Sequence, residues 1–524
     1  MKTILLLGTI ILLVASAFAQ YAPRSFEIAG SRRTLDQTPP EERLVSNVII
    51  DIKPASIDTL WLGTGNGLTQ VSIDTHDVRA SKFNSYTTAQ GMGKGGASGL
   101  LVTDSIIWAA FAFDTSVGIS GAGDGLVYSR DHGNSWTHFP QPRDPRTHQT
   151  DANGFDSTLG YYPTTTNVDN ITYDIAMSDS FVWIASKGGG LRRHAYAADY
   201  TNYNDTSGWR VESPLVLDDG RSLVFHPGAN DGLIHREFAV MYAESALYVG
   251  TAAGILRSRD EGRTWHNILA GNGSISGNFV TALDYQPSMH AIWAATWRAE
   301  SQSEYYAVSK STDGGTTWHV YLDSTQVMNA VGYSETVRAH GFGFSATGDT
   351  VYVCDDLGLW KSPDGGQHWA LFANITDATT GHSFSEPSNY AAFSDSSFRL
   401  WTGGTDGLAE TSDRGNHWII FQAAYPLNGT AQPVDTYAYP NPWSPSRFGP
   451  VKLRYTTTGG DISITIYDMA MTKVVSLPTV TRPAGEQYEI WDGKKNGTIV
   501  ANGTYFYKLS KPGSTVWGKL IVLD

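Results

Sequence analysis

Five times along this 524-residue chain the pattern Ser/Thr-x-Asp-x-Gly-x-x-Trp returns, at 129–136, 258–265, 311–318, 362–369 and 411–418. A motif recurring in register means one supersecondary unit used repeatedly, which limits the chain to repeat architectures. Each position has a physical reason. The Asp carboxylate accepts backbone N–H groups across its own turn. The Gly takes a positive φ that a side chain makes costly. The Trp covers the hairpin and buries a large aromatic area against the sheet.

Around these hairpins runs a wider pattern. Apolar strands centred on Trp61, Trp108, Trp183, Tyr248, Trp293, Tyr352 and Trp401 each follow another apolar segment, and several lead into Gly-Leu or Gly-Ile. Two strands before the hairpin, one within it and one after its Trp make four per unit. Four-stranded units repeated at spacings of roughly 45 to 75 residues predict radial blades rather than a solenoid. The fold expected is all-β: a seven-bladed β-propeller over 45–424, followed by a small Ig-like β-sandwich. Two blades lack the full hairpin. Residues 72–74 keep a trace of it, and 192–209 replace it with a longer insertion.

The hairpins resemble the Asp-box of sialidases, sortilin-type receptors, photosystem II stability factors and some xyloglucan-degrading enzymes, over roughly 45–424. That resemblance implies that the motif is a peripheral turn away from any ligand. Asp131, Asp260, Asp313, Asp364 and Asp413, with Trp136, Trp265, Trp318, Trp369 and Trp418, are then structural. Loss of the Asp364 carboxylate is expected to cost about 1 kcal/mol, one turn hydrogen bond.

The ends carry other signals. Lys2, an apolar run over 4–14 and Ala17-Phe18-Ala19 form a signal peptide, 1–19. An extended segment, 20–44, leads into the propeller. A linker, 425–435, separates it from 436–524, where six or seven short strands read as a small sandwich. Tyr439-Pro440-Asn441-Pro442, Ile466-Tyr467-Asp468, Trp491-Asp492-Gly493 and Val500-Ala501-Asn502-Gly503-Thr504-Tyr505-Phe506-Tyr507 resemble the Ig-like domain of flagellar hook-capping proteins. They also resemble the C-terminal sorting domains of type IX secretion substrates. Met469-Ala470-Met471 stands where that family has a Gly-containing turn. The resemblance implies export or surface attachment in a Gram-negative bacterium, with secretion machinery as a partner of this domain. Trp491-Asp492-Gly493 reads as a turn anchor rather than a sugar site.

Net charge is −14 and no basic run occurs, which argues against nucleic acid. No stretch after the signal has the length of a membrane span. Cys354 is the single cysteine, so internal disulfides and Cys-based metal sites are excluded, and its apolar run places it in the core.

Function is expected on the face that carries the long insertions, 140–170, 214–235, 113–123 and 297–306, because loops on a rigid scaffold concentrate binding residues. Candidates there are Arg143, Arg146, His148, Tyr161, Tyr162, His235, Arg236, Trp297, Arg298, Glu300, Arg338 and His340, with Arg221, His226, Tyr305 and Tyr306 beside them. No Arg-Ile-Pro, Gly-x-Ser-x-Gly, His-Glu-x-x-His or P-loop pattern occurs, and neither a catalytic set, a metal site nor a cofactor is expected. The reading favours a secreted or surface protein that binds an extracellular protein or glycan without catalysis. A glycoside hydrolase or lyase with its acidic pair among the loop carboxylates is the alternative.

Overall fold

The computed structural model describes residues 40–115, 121–145, 155–195, 208–228, 232–271, 274–299, 301–346, 348–372, 374–380, 382–396, 399–423, 436–445 and 450–524. The expected signal peptide and linker lie outside them. The described residues fall into two compact units. One is drawn from the chain up to Ala373 and from Pro387–Gln422, the other from Asn374–Glu386 and Ala423–Asp524. No sequence pattern marks the excursion at 374–386.

The first unit is a β-propeller. Its strands form successive four-stranded antiparallel sheets in simple up-and-down order, each named here by its central aromatic. The Trp293 sheet is typical, with strands Phe279–Gln286, Ala291–Trp297, Ala307–Ser311 and His319–Leu322. The Trp61 and Trp108 sheets are bridged by one parallel pair, Gly67 with Gly96. The innermost strands, beginning at Ile49, Gly96, Thr172, Glu237, Phe279, Gly341 and Asn389, pack one on the next, and Asn389–Ser394 packs back on Ile49–Ser56. Gly407 N donates to Asn47 O at 2.8 Å across this closure. The central aromatics are fully or nearly fully buried, as is Cys354. Burial pushes the Cys354 thiol up, as suits a core residue.

The repeated hairpins are built alike. In each, the first Ser/Thr hydroxyl donates to the Asp at 2.8–2.9 Å and accepts the Gly N–H at 2.8–3.0 Å. The residue before the Trp also serves the carboxylate: Ser135, Thr264 and Thr317 donate through both N–H and hydroxyl. His368 and His417 do so through N–H, with Nδ1 at 2.6 and 2.5 Å from Asp364 and Asp413 Oδ2. Burial pushes the Asp364 carboxyl up, but bonds from His368 and Ser362 outweigh it and hold it at about 2.

The hairpin glycine explains how one sheet meets the next. A Cβ on Gly133, Gly262, Gly315, Gly366 or Gly415 would lie 2.5, 2.8, 3.1, 2.6 or 2.6 Å from a ring of the preceding sheet: Trp61, Trp183, Tyr248, Tyr321 or Phe372. Beside three of these contacts a cation from the preceding sheet's third strand donates to the carbonyl of the residue before the glycine. Arg193 reaches Glu261 O at 3.0 Å, Arg257 reaches Gly314 O at 2.9 Å and Lys310 reaches Gly365 O at 2.6 Å. Lys310 also lies 4.0 Å over the Tyr321 ring. Where the hairpin is missing, an aromatic takes its place: Trp209 meets Trp108 edge-on at 6.4 Å, and Phe83 meets Phe421 at 5.1 Å.

The second unit is also all-β. Val451–Tyr467 is one long strand that serves two sheets. Its first half pairs with Thr436–Tyr439 and Val480–Trp491, and its second half with Lys473–Ser476 and Gly503–Lys511. Gly459 and Gly460, at φ +94° and +123°, mark the change. The core gathers Trp443, Trp491, Tyr507 and aliphatic residues. Trp491 Nε1 donates to Lys494 O at 3.2 Å, and Asp492 accepts Lys494 N at 3.0 Å, so this motif does anchor a turn. Met471 takes φ +62° in the turn where the resembled family has glycine. The hairpin Thr376–Asp377 and His382–Ser383 belongs to this unit, where Ser383 N and O bond the Tyr488 hydroxyl at 3.1 and 2.8 Å.

Two stability experiments follow. Asp364 accepts four bonds rather than one, so Asp364→Ala is expected to cost about 2 kcal/mol in denaturant unfolding. Its folded pKa lies below the unfolded value of about 3.9, so the advantage over the Ala variant is complete above about pH 4 and disappears as pH falls towards 2. Gly366→Ala and Gly220→Ala separate packing from backbone strain. Both glycines have positive φ, +101° and +90°, but a Cβ meets Tyr321 only at Gly366. Gly220→Ala is expected to cost about 1–2 kcal/mol, and Gly366→Ala about 1–3 kcal/mol more.

Candidate functional site

Six of the inner strands carry a bulge near their start, which leaves Ile50, Ser98, Tyr173, Phe238, Thr281 and Tyr390 as the extra residue. A bulge places two residues opposite one and re-aims side chains, a common device beside sites. Here it accompanies a continuous aromatic arc. Tyr173 meets Phe238 at 5.5 Å, Phe238 meets Phe279 at 4.7 Å and Phe279 meets Trp297 at 6.1 Å. Trp297 then meets His340 at 6.1 Å, and His340 meets Tyr390 at 5.1 Å.

At the far end of the arc lies a polar cluster. Asp356 follows the second strand of the Tyr352 sheet, while Arg338 and His340 immediately precede its first strand, so the antiparallel fold returns them to one end. His340 Nε2 lies 2.8 Å from Asp356 Oδ1, and Arg338 Nη1 lies 3.7 Å from Oδ2. Arg338 and Asp356 side chains remain 41% and 40% exposed, so solvent reaches the pair. The Arg338 guanidinium lies 5.9 Å over Tyr306. Asp355 is fully buried and anchors the turn, accepting Arg338 N at 2.5 Å and Leu357 N at 2.9 Å. Burial pushes its carboxyl up to about 6 against those two bonds.

A second cluster joins the insertions before the Trp183 and Tyr248 sheets. Arg192 grips Asp144 through two bonds of 2.9 and 2.8 Å, both side chains being almost fully buried. Tyr161 donates to the same carboxylate at 3.1 Å, and burial with Asp144 pushes its phenol up to about 12. Tyr162 stacks on His226 at 3.5 Å and its N–H donates to Phe225 O at 3.0 Å. His235 is buried beside Phe225, and Arg236 Nε donates to Pro227 O at 2.8 Å. These contacts lock two insertions together and turn their polar groups inward.

The candidate residues therefore divide. Trp297, Arg338 and His340 come together with Tyr306; Trp297 is buried, while Arg338 is open to solvent. Tyr161, Tyr162, His235 and Arg236 also come together, as a scaffold rather than a presented surface. Arg143 and Arg298 are exposed and join neither cluster. Arg146, His148 and Glu300 lie outside the described residues. Asp356, Tyr390, Asp144 and Arg192 were missed by the sequence argument. Asp356 sits in a short turn, Asp355-Asp356-Leu357-Gly358, which a search for long insertions passes over. Its position between second and third strands is the signal that could have found it.

Among the described residues, no three or more His, Cys, Asp or Glu are arranged to hold a metal ion, and no helix is long and apolar enough to cross a membrane. No protein-family model and no curated protein matches the sequence. Solved structures do resemble it. PorZ, a surface component of the type IX secretion system of Porphyromonas gingivalis, is 13% identical with a TM-score of 0.35 over 89% of this chain, which spans 64% of PorZ's length. YCF48 from Cyanidioschyzon merolae is 11% identical with a TM-score of 0.40, over 71% of this chain and 98% of its own. The WD40 β-propeller domain of Doa1 is 9% identical with a TM-score of 0.38, over 74% and 96%. Likenesses this distant assign no function.

Glu237, at the start of the Tyr248 sheet, is buried at 1% exposure, and burial raises its carboxyl well above the usual range. In the folded chain it stays protonated to a higher pH than in the unfolded chain, where it ionises above about pH 4.3, so it costs stability increasingly as pH rises above that value. Glu237→Gln should therefore raise Tm, with a larger gain at pH 8 than at pH 5 in paired thermal melts.

Proposed function

We propose that the chain is an exported, seven-bladed β-propeller that binds an extracellular glycan or protein without catalysis, through the face bearing Arg338, His340 and Asp356. Residues 1–19 direct export, 45–424 hold the blades, and 436–524 form an Ig-like domain for export or surface attachment, with secretion machinery as its partner. The observation that carries the binding reading is the solvent-open pair Arg338 and Asp356, joined by His340 and set against the half-buried Tyr306 and Tyr390. Aromatic faces beside a hydrogen-bonding carboxylate and cation suit a sugar, whose C–H faces stack while its hydroxyls bond. The inner scaffold around Asp144 and Arg192 supports this by holding the neighbouring insertions rigid.

One observation favours hydrolysis as a second reading. Asp355 is pushed up to about 6 beside the ionisable Asp356, a pairing of the kind used for acid and base roles. Both Asp355 oxygens, however, accept backbone N–H groups in the turn, which fits an anchor better than an acid.

A glycan array and a reducing-sugar assay on the mature chain decide between them. Arg338→Ala and Asp356→Asn are expected to weaken binding about tenfold or more, about 1.4 kcal/mol, with Tm little changed and no sugar released. Unaltered binding in both folded variants would remove this face from the proposal. Turnover lost on Asp356→Asn would establish the hydrolase.

A further inference from the structure

The C-terminal unit has a sheet whose two faces differ in chemistry. The strands Val451–Tyr467, Gly503–Lys511 and Ser514–Val522 pair in order. On the inner face Ile464, Ile466, Tyr507, Leu509 and Leu520 are buried in the core. Gly518 belongs to that face: a Cβ there would lie 2.0 Å from the Tyr507 ring, whose hydroxyl lies 2.9 Å from Thr436 Oγ1.

The outer face is neither apolar nor simply solvated. Tyr467 pairs with Phe506 and Phe506 with Lys519; one rung further, Thr465 pairs with Lys508 and Lys508 with Trp517. Lys473 pairs with Tyr467 from the other side. Directly paired residues share a face, so three aromatics and three lysines occupy one small area. Trp517 is 49% exposed, and its ring centre lies 5.6 Å from that of Tyr467. Lys473, Lys508 and Lys519 form no ion pair among the described residues. Unpaired cations concentrated in this way make this face locally positive in a chain whose net charge is −14.

We infer that this outer face binds an acidic polysaccharide, with Tyr467, Phe506 and Trp517 stacking on sugar rings and Lys473, Lys508 and Lys519 meeting uronate or phosphate groups. Interleaved rings and cations are the physical arrangement that holds an extended polyanion, because stacking and charge act on the same strand of ligand. A protein partner needs a contiguous apolar centre, whereas here lysines break up the apolar area. The inference stands apart from the propeller face and does not depend on it.

Affinity electrophoresis of the full chain tests it, in gels containing polygalacturonate, a phosphomannan or neutral dextran, with a dT oligonucleotide as competitor. Retardation is expected in at least one of the two anionic gels and not in dextran, and comparing the two identifies the acidic group. Trp517→Ala should weaken retention about tenfold at every salt concentration. Lys508→Gln with Lys519→Gln should do so at low salt only, because screening removes the charge contribution in the parent protein as well. Both variants keep the parental Tm, since the altered side chains face solvent. The inference is overturned by no retardation in either anionic gel, by equal retention in dextran, or by unchanged retention of the folded Trp517→Ala chain. Displacement by the oligonucleotide in preference to polysaccharide also overturns it, as does a dimer in sedimentation that Trp517→Ala abolishes.

Discussion

The propeller rests on one contact made again at successive joints: a hairpin glycine pressed against an aromatic ring of the sheet before it. At Gly366 the ring belongs to Tyr321, and at Gly262 to Trp183. Adjacent sheets share almost no ladder hydrogen bonds, so their spacing is set by side-chain packing, which is sensitive to a single methyl group. The glycine permits the approach. The Asp carboxylate holds the turn in shape, and at the Gly262, Gly315 and Gly366 turns a lysine or arginine of the preceding sheet ties the carbonyl in place. At the two joints without the hairpin, Trp209 and Phe83 supply aromatic area instead, and the ring still closes.

That outer stapling frees the opposite end of the sheets. The inner strands enter there through bulges, and their first residues build the arc from Tyr173 to Tyr390. Two kinds of polar cluster sit on it. Asp144 and Arg192 are buried and satisfied by each other, which makes rigidity rather than recognition. Arg338, His340 and Asp356 are more loosely joined, with Arg338 3.7 Å from the carboxylate, and the side chains of Arg338 and Asp356 remain open to water. The clusters differ in exposure and in closeness, since Arg192 makes two hydrogen bonds to Asp144 whereas Arg338 stands beyond hydrogen-bonding distance of Asp356.

Much of the fold was legible because its determinants are local. The Asp, Gly and Trp of each hairpin act within a few residues of one another, and Thr264 or His368 joins them from four positions away. The site was legible only in part. Trp297, Arg338 and His340 were found as loop residues, but Asp356 lies in a turn with no insertion to draw attention to it. Tyr161 and His235 look the same in sequence as Arg338, yet they are turned inward. Residues 374–386 offered no warning either: their place with the C-terminal unit depends on Tyr488, about a hundred positions later.

The sequence by itself determined the repeat, the hairpin chemistry and the all-β character of both units, because turn shape, strand alternation and glycine need follow from neighbouring residues. Only the tertiary structure decided which hairpin ring contacts join which sheets, which polar loop residues stay exposed, and that Tyr467, Phe506 and Trp517 share a face with three lysines. Those outcomes depend on register and packing between segments far apart in the chain, and no local pattern encodes them.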